Sequence, residues 1–469
     1  MRKITDQSII AGYLEDSSNL TGGSAEGLYL PSDEKEAREV LLESAANKTP
    51  LTFSAAQTGT TGGCIPFGGN ILSVQKLTKI IEIDPVKKTA LIQSGVTLEE
   101  LAKACAPYGL FYALDPTEKS ATVGGNVNTN ASGGRSYRFG STRDHTVGLK
   151  VILTNGEKLE LKRGQGPASG LTLPTYNMPR LKNAAGYYAR PGMELIDLFI
   201  GQEGTLGFIS EIEVKLLPIM KETFELVAFF KTEAQAIGFV EAAKKLRDQS
   251  INFFEYFDPN TLQMLGRSYP HIPREREAAV YIEQELTERN SNYLEEWEKL
   301  LSAYDSSLEE AWIGSDAKQQ ALLRQFRHAI PEHINELFKE HHLTKMATDI
   351  AVPEDKFREM FNYYNNQLKA LSCKLFYIKF GHIGDNHLHV NLLPKNEAEM
   401  VRAKELVRLF VRKAVELGGT VSAEHGIGKI KYEYLKVMYG AKGIEEMRRV
   451  KAHFDPAGIL DRGNIFPAI

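Results

Sequence analysis

Glycine-rich stretches without regular periodicity constrain this chain more than any other feature. The longest, residues 116–140, reads PTEKSATVGGNVNTNASGGRSYRFG. It holds Gly124, Gly125, Gly133, Gly134 and Gly140, with Asn126, Asn128, Thr129, Asn130 and Ser132 between them. Few of its side chains can build a core, so it reads as a loop. Backbone amides unshielded by side chains can converge on an anion, and asparagine and threonine add donors and acceptors. Such a segment suits an extended polar ligand carrying a diphosphate; an ordinary surface loop is the alternative. A second stretch, LTFSAAQTGTTGGCIPFGGN at 51–70, is a short strand followed by Thr58, Gly59, Thr60, Thr61, Gly62 and Gly63. It has neither GxGxxG spacing nor the GK[ST] ending of a P-loop, so any phosphate it binds is held by another arrangement.

At 469 residues the chain exceeds what one hydrophobic core serves, and two or three domains are expected. Net charge is −4, with no basic tail or stripe, which argues against nucleic acid as a partner. The first residues, MRKITDQSIIAGYLEDSSNL, lack the apolar core of a signal peptide. No window is apolar for long enough to cross a bilayer. Cys64, Cys105 and Cys373 are too few for a four-thiolate iron–sulfur cluster and give no disulfide framework. They suit a reducing compartment. A soluble cytoplasmic protein is expected, with peripheral membrane contact left open.

Along the chain, residues 34–48 read as an amphipathic helix. The segments IIEID and TALIQSG, joined by DPVKK, read as a β-hairpin. Thr97 and Glu100 match a capping box, starting a helix that ends near Gly109. In LKVILTNGEKLEL, Asn155-Gly156 marks a second hairpin. ELIDLFIGQEGTLGFISEIEVKLLP gives a helix, a third glycine turn and a strand stopped by Pro218. Beyond it the texture changes: helices over 233–249, 293–303, 317–341 and 397–417, and strands in AAVYIEQEL, LFYIKFGHI and HLHVNLLP. That pattern predicts a separate α+β domain from about 220 to 415.

Four of the 11 histidines, His382, His387, His389 and His425, fall within one short part of the chain. In FGHIGDNHLHVN, His382 before a turn and His389 after it can face one space, and His387 and His389 share a strand face. In GTVSAEHGIG, Glu424 stands beside His425 on a glycine-flanked turn. Two imidazoles and a carboxylate with an open position are a catalytic zinc-type ligand set. Hydrogen-bonded structural histidines are the alternative.

Taken together, these motifs resemble the flavin-dependent D-2-hydroxyacid dehydrogenases, the group of FAD-linked D-lactate dehydrogenase, D-2-hydroxyglutarate dehydrogenase and the glycolate oxidase flavin subunit. The resemblance rests on TGTTGG, ATVGGNVNTNASGG, RFGSTRDHTVGLKVIL, GQEGTLGFISEIEVKLLP, GHIGD with LHVN, SAEHGIG and DPAGIL. It implies an α+β fold of the vanillyl-alcohol-oxidase (PCMH) type: an FAD-binding domain of two α+β subdomains at 1–220, an α+β cap or substrate domain at 221–415, and a segment at 416–469 returning to the FAD side. Non-covalent FAD is implied, with its diphosphate on Gln57, Thr58, Gly59, Thr60, Thr61, Gly62 and Gly63. The flavin would lie near Pro116, Thr117, Gly124, Gly125, Asn126, Thr129, Asn130, Gly133 and Gly134. Glu203, Gly204, Gly207 and Ile209 would lie on the adenine and ribose side.

By the same resemblance His382, His389 and Glu424 match the ligands of a divalent metal, zinc by type, His425 the base, and Arg327 and Asn391 substrate contacts. The implied reaction takes a small D-2-hydroxy acid, D-lactate first, to the 2-oxo acid with hydride passing to flavin N5. D-2-hydroxyglutarate and glycolate are alternatives within the group, and a flavin-carrying electron-transfer subunit is the alternative outside it. The other partner is an electron acceptor or acceptor protein that the sequence does not identify; a homodimer is left open. Several positions depart from the family pattern. His387 is an extra imidazole where relatives read GDGN. Gln57 replaces a glycine, Ser54 an arginine, and Pro331 a hydroxyl residue. Lys345-Met346-Ala347-Thr348-Asp349 lacks a lysine common just before the motif there.

Overall fold

A computed structural model describes residues 1–166, 171–246, 250–340, 346–370 and 375–467. Cys373 and Lys345, and the ends of the helices expected over 233–249 and 317–341, lie outside the described residues. The chain forms two compact units. One comprises Met1–Ser132, Gly140–Ile219 and Ser422–Ile469; the other comprises Gly133–Phe139 and Met220–Val421.

In the first unit, the helix Glu34–Ala46 starts where the Asp33 carboxylate accepts the Glu36 amide, with Glu34 and Glu36 in its first turn. Its buried Ala37, Val40, Leu41 and Ser44 recur at helical spacing. Ala37, Val40 and Leu41 pack with Leu51 and Leu72 of a three-stranded parallel sheet ordered Gly27–Tyr29, Asn70–Ser73, Leu51–Ser54. The expected hairpin pairs Ile80–Asp84 with Thr89–Gln93, and Asp84 Oδ1 accepts the amides of Val86 and Lys87 across its turn. It continues through Phe208–Lys215 and Thr146–Ile152 to Lys158–Lys162, making a five-stranded antiparallel sheet. Asn155-Gly156 closes the last of these pairs, with Gly156 at φ +77°. The capping box at Thr97 and Glu100 is present in full.

The long glycine stretch is not loop throughout. Val123–Thr129, VGGNVNT, is a helix despite two glycines and two asparagines of low helix propensity. Tertiary contacts override the propensity. Thr122 Oγ1 accepts the Gly125 amide at the start, and Asn130 ends the helix in the left-handed conformation at φ +48°. Gly124 packs so closely on Ser94 that a Cβ would lie 2.5 Å from the Ser94 carbonyl oxygen.

The second unit is built on an eight-stranded antiparallel sheet. Its order is Trp312–Gly314, Thr223–Phe230, Ala278–Glu285, Ile251–Phe257, Phe376–Gly381, His387–Leu393 and Met346–Ala347, with Ile350–Ala351 also pairing the histidine-bearing strand. The strands Ile251–Phe257 and His387–Leu393 are buried along their whole length. Phe326, on the helix Ala317–Glu340, packs edge-on against Phe257, Tyr269 and Trp312. Helices Glu233–Ala243, Phe357–Ala370 and Glu397–Glu416 complete the α+β layering.

Candidate active site

The loop after the strand Leu51–Ser54 presents backbone donors. None of the amides from Thr58 to Gly63 donates to an acceptor among the described residues. A Cβ added at Gly59 would meet nothing within 4 Å, so the backbone there is open to a ligand. Gln57 takes the left-handed conformation, φ +58°, which explains why glycine suits this position. The glutamine adds an anchor: its Nε2 donates to the carbonyls of Gly12 and Glu15 at 3.0 and 2.6 Å. Lys429 Nζ and Asn464 Nδ2 both donate to the Gly63 carbonyl. In the helix Val123–Thr129, the Asn126 amide nitrogen is buried with no partner among the described residues. Open amides and an unsatisfied buried donor fit a ligand carrying a diphosphate and a polar ring edge, which is what FAD offers.

Glu203, expected on the adenine and ribose side, is anchored to the backbone that follows His425. It is left-handed at φ +53° and buried, and its two carboxylate oxygens accept the amides of Ile427 and Gly428. Burial pushes its carboxyl up to about 7, against the pull of those two amides. Its work in this structure is to hold the turn after His425. Gly204 and Asn128 assist, the Gly204 amide donating to Asn128 Oδ1 at 3.2 Å. Gly207 and Ile209 lie at the start of the strand Phe208–Lys215; Ile209 is buried and the Gly207 amide is held by Gln202. Asn130 receives the Arg143 amide, and Thr129 Oγ1 donates to the Gly125 carbonyl. Pro116 is half-buried and Thr117 exposed in the irregular segment before Thr122.

On the turn itself, Glu424 Oε2 forms an ion pair with Lys182 Nζ at 2.7 Å and accepts from Ser132 Oγ at 3.1 Å. Its Oε1 stands 3.7 Å from His425 Nε2. Thr61 Oγ1 donates to the His425 carbonyl at 3.3 Å, tying the first glycine–threonine loop to this turn.

In the second unit the turn between Phe376–Gly381 and His387–Leu393 brings three imidazoles together, with ring nitrogens of His382, His387 and His389 within 4.8 Å of one another. Phe380 pairs with His389 across the strands. His382 Nδ1 donates to Glu255 Oε1 at 2.8 Å, and the same oxygen accepts Arg327 Nε and Nη2 at 3.0 and 2.8 Å. Burial raises the Glu255 carboxyl, but Arg327 and His382 outweigh it and hold the group at about 2. His389 Nδ1 faces the Thr348 carbonyl at 3.4 Å. In each of these two rings an oxygen acceptor faces Nδ1, the arrangement found behind metal-binding histidines. That chemistry fits a divalent cation.

Asn391, next on the same strand face, is buried, and its amide nitrogen has no partner among the described residues. The expected substrate contact Arg327 thus has two of its donors on Glu255. Gly133 and Gly134, expected beside the flavin, belong to the second unit, where a Cβ on Gly134 would meet Glu255 Oε1 at 2.8 Å.

Residues 220–465 match the family model described as FAD linked oxidases, C-terminal domain, and residues 25–162 match the FAD binding domain. The chain belongs to the FAD-linked oxidases. This FAD-linked oxidase is 33% identical to a D-lactate dehydrogenase of Anaerostipes hadrus, over 99% of its own length and 94% of that protein's. It is 31% identical to a glycolate oxidase subunit of Bacillus subtilis, over 97% and 92% of the two chains. A D-2-hydroxyglutarate dehydrogenase of Stutzerimonas stutzeri is 28% identical, over 99% and 96%. The resemblance to the flavin-dependent D-2-hydroxyacid dehydrogenase group holds over the full chain. The oxidase also superposes on alkyldihydroxyacetonephosphate synthase with a TM-score of 0.70 at 17% identity, over 98% and 82% of the two chains. That likeness shows the expected fold type. Among the described residues, no helix of this FAD-linked oxidase is long and apolar enough to cross a membrane.

Proposed function

We propose that this FAD-linked oxidase converts a small D-2-hydroxy acid, D-lactate before longer diacids, to the 2-oxo acid with a divalent metal assisting. The carrying observation is the pair of buried imidazoles, His382 and His389, each with an oxygen acceptor facing Nδ1. With Glu424 they make the proposed ligand set, zinc by type. When bound, FAD supplies the hydride acceptor and the cation supplies a Lewis acid that lowers the pKa of the substrate hydroxyl. Nothing in Thr58–Gly63 can form a histidyl link to the flavin, so FAD is proposed to be non-covalent.

The substrate gives up a hydride from Cα and a proton from its 2-hydroxyl. His425 Nε2 is the proposed proton acceptor, a role that contributes about 10²–10⁴-fold. The Glu424 carboxylate beside it favours the imidazolium that results. Thr61 and Glu203 hold the backbone at His425 and at the two residues that follow Gly426. Asn391 Nδ2 is the proposed donor to the substrate carboxylate, and Arg327, held by Glu255, supplies positive charge beside it. No further cation for a second carboxylate is evident in Met346-Ala347-Thr348-Asp349, which is why a monoacid is preferred. An electron acceptor must then reoxidise the flavin.

The test is an anaerobic panel of D- and L-2-hydroxy acids scored by flavin bleaching, with metal analysis of the same sample. Bleaching by D-lactate in metal-containing protein is expected. No bleaching by any D-acid would overturn the assignment and leave an electron-transfer subunit.

A further inference from the structure

His387 stands outside the ligand set proposed above, yet it occupies the middle of the cluster. Its ring centroid is 4.4 Å from that of His389 and 5.3 Å from that of His382. The side chain is fully buried, and Nε2 lies 3.0 Å from Oδ1 of Asp349, itself fully buried. Asp349 is placed by the sheet: it sits between Met346–Ala347 and Ile350–Ala351, both antiparallel to the histidine-bearing strand, with Ala351 opposite His387. All three imidazoles thus have an oxygen atom close to one ring nitrogen. His382 has Nδ1 on Glu255, His389 has Nδ1 facing the Thr348 carbonyl, and His387 has Nε2 on Asp349. An imidazole held at one nitrogen by a carboxylate or carbonyl has its other lone pair oriented, which is the arrangement found behind metal-binding histidines. An asparagine at this position would present a side-chain amide in place of the ring. Its amide nitrogen has no lone pair to offer a cation.

We propose that His387 is a third imidazole ligand, oriented by Asp349, so that His382, His387 and His389 together bind a late first-row divalent cation. The proposal rests on the reading that His382 and His389 hold a metal. Adding a third nitrogen favours zinc, cobalt, nickel or copper over magnesium, calcium or manganese, which prefer oxygen donors.

The experiment uses the full-length holoprotein, stripped of metal by a chelator and reloaded with Zn(II), Co(II) or Cu(II). In the wild type, the Cu(II) electron paramagnetic resonance spectrum is expected to show three nitrogen donors; two would overturn the proposal. His387→Asn leaves a side-chain amide beside Asp349 and removes the ring lone pair. It is expected to drop the count to two, change the Co(II) visible bands and weaken Zn(II) binding by about 100-fold or more. Asp349→Asn, which keeps the shape beside His387 and removes the charge, is expected to weaken binding by about 10–100-fold with the nitrogen count kept at three. Unchanged affinity and spectra in His387→Asn would overturn the proposal. His382→Ala separates the two readings. If it loses the metal while His387→Asn keeps it, only the third ligand is wrong; if the wild type binds no cation at all, both fall. Should His387→Asn fail to fold, judged by flavin content and thermal melting, the wild-type nitrogen count decides.

Discussion

Glu424 and His425 are neighbours in the chain with different proposed chemistry, and their variants should fail differently. Glu424→Gln keeps the shape but removes the negative charge a divalent cation needs, so metal content falls and added metal restores part of the activity. His425→Asn keeps metal and FAD and loses kcat by about 10²–10⁴. Metal analysis beside steady-state rates checks both; a metal-free His425→Asn with a fully loaded Glu424→Gln would reverse the two roles. Lys182 adds a third case. Its ammonium is the buried counter-charge to Glu424, with side chains only 6% and 12% exposed. Removing one partner of such a pair costs about 3–5 kcal/mol because the other charge is left buried. Lys182→Met should therefore destabilise the metal-free protein by about 3 kcal/mol in urea unfolding, and zinc should recover part of the loss. An equal loss with and without zinc would argue that Glu424 does not meet the cation. Lys182 carried no signal in the sequence. Neither did Glu255, which reaches His382 across 127 positions of the chain. Partners that meet only through the fold leave no local spacing to read.

At the level of elements, hairpins and capped helices were legible because their signals are local. The turn at Asn155-Gly156, the capping box at Thr97 and the histidine hairpin all formed as the residues dictate. The strands Thr223–Phe230 and Ile251–Phe257 were not legible. Burial runs through TFELVAFF after its first residue and through all of INFFEYF, so neither has the polar–apolar alternation that announces a strand with one wet face. The acids inside such strands are the informative residues. Glu225 accepts from Tyr281 and pairs with Arg324 at 3.2 Å, yet burial pushes its carboxyl up from 4.5 to about 7. A carboxyl raised in the folded state contributes stability below its unfolded value, and the contribution is lost as pH rises through the folded value. The wild type should therefore lose stability relative to Glu225→Gln between about pH 4.5 and pH 7. The change is at most about 3 kcal/mol by the free-energy equivalent of the shift. Urea midpoints of both proteins at pH 4.5, 6 and 8 check it. A difference that stays constant across the range would show that Glu225 titrates near its ordinary value.

For the whole molecule, most of the groups proposed for FAD and most of those proposed for the metal come from different units of the chain. The open amides of Thr58–Gly63 and the helix Val123–Thr129 lie in one, and His382, His387 and His389 in the other. Each set keeps its own anchors: Gln57, Lys429 and Asn464 hold the first loop, and Glu255, Thr348 and Asp349 orient the imidazoles. Loss of metal should thus leave the flavin bound. Chelator-treated protein is expected to stay yellow and to release FAD only on denaturation, while D-lactate no longer bleaches it at an appreciable rate. Without a Lewis acid the substrate hydroxyl keeps a pKa far above that of imidazole, and His425 has little driving force to remove its proton. Zinc added back should restore bleaching, and D-lactate should then exceed D-2-hydroxyglutarate in kcat/KM. Stopped-flow absorbance of the flavin, with metal and FAD measured on the same sample, separates the outcomes. Release of FAD together with the metal would mean the two sets are not independent. Bleaching at the full rate in metal-free protein would leave the histidines a structural role.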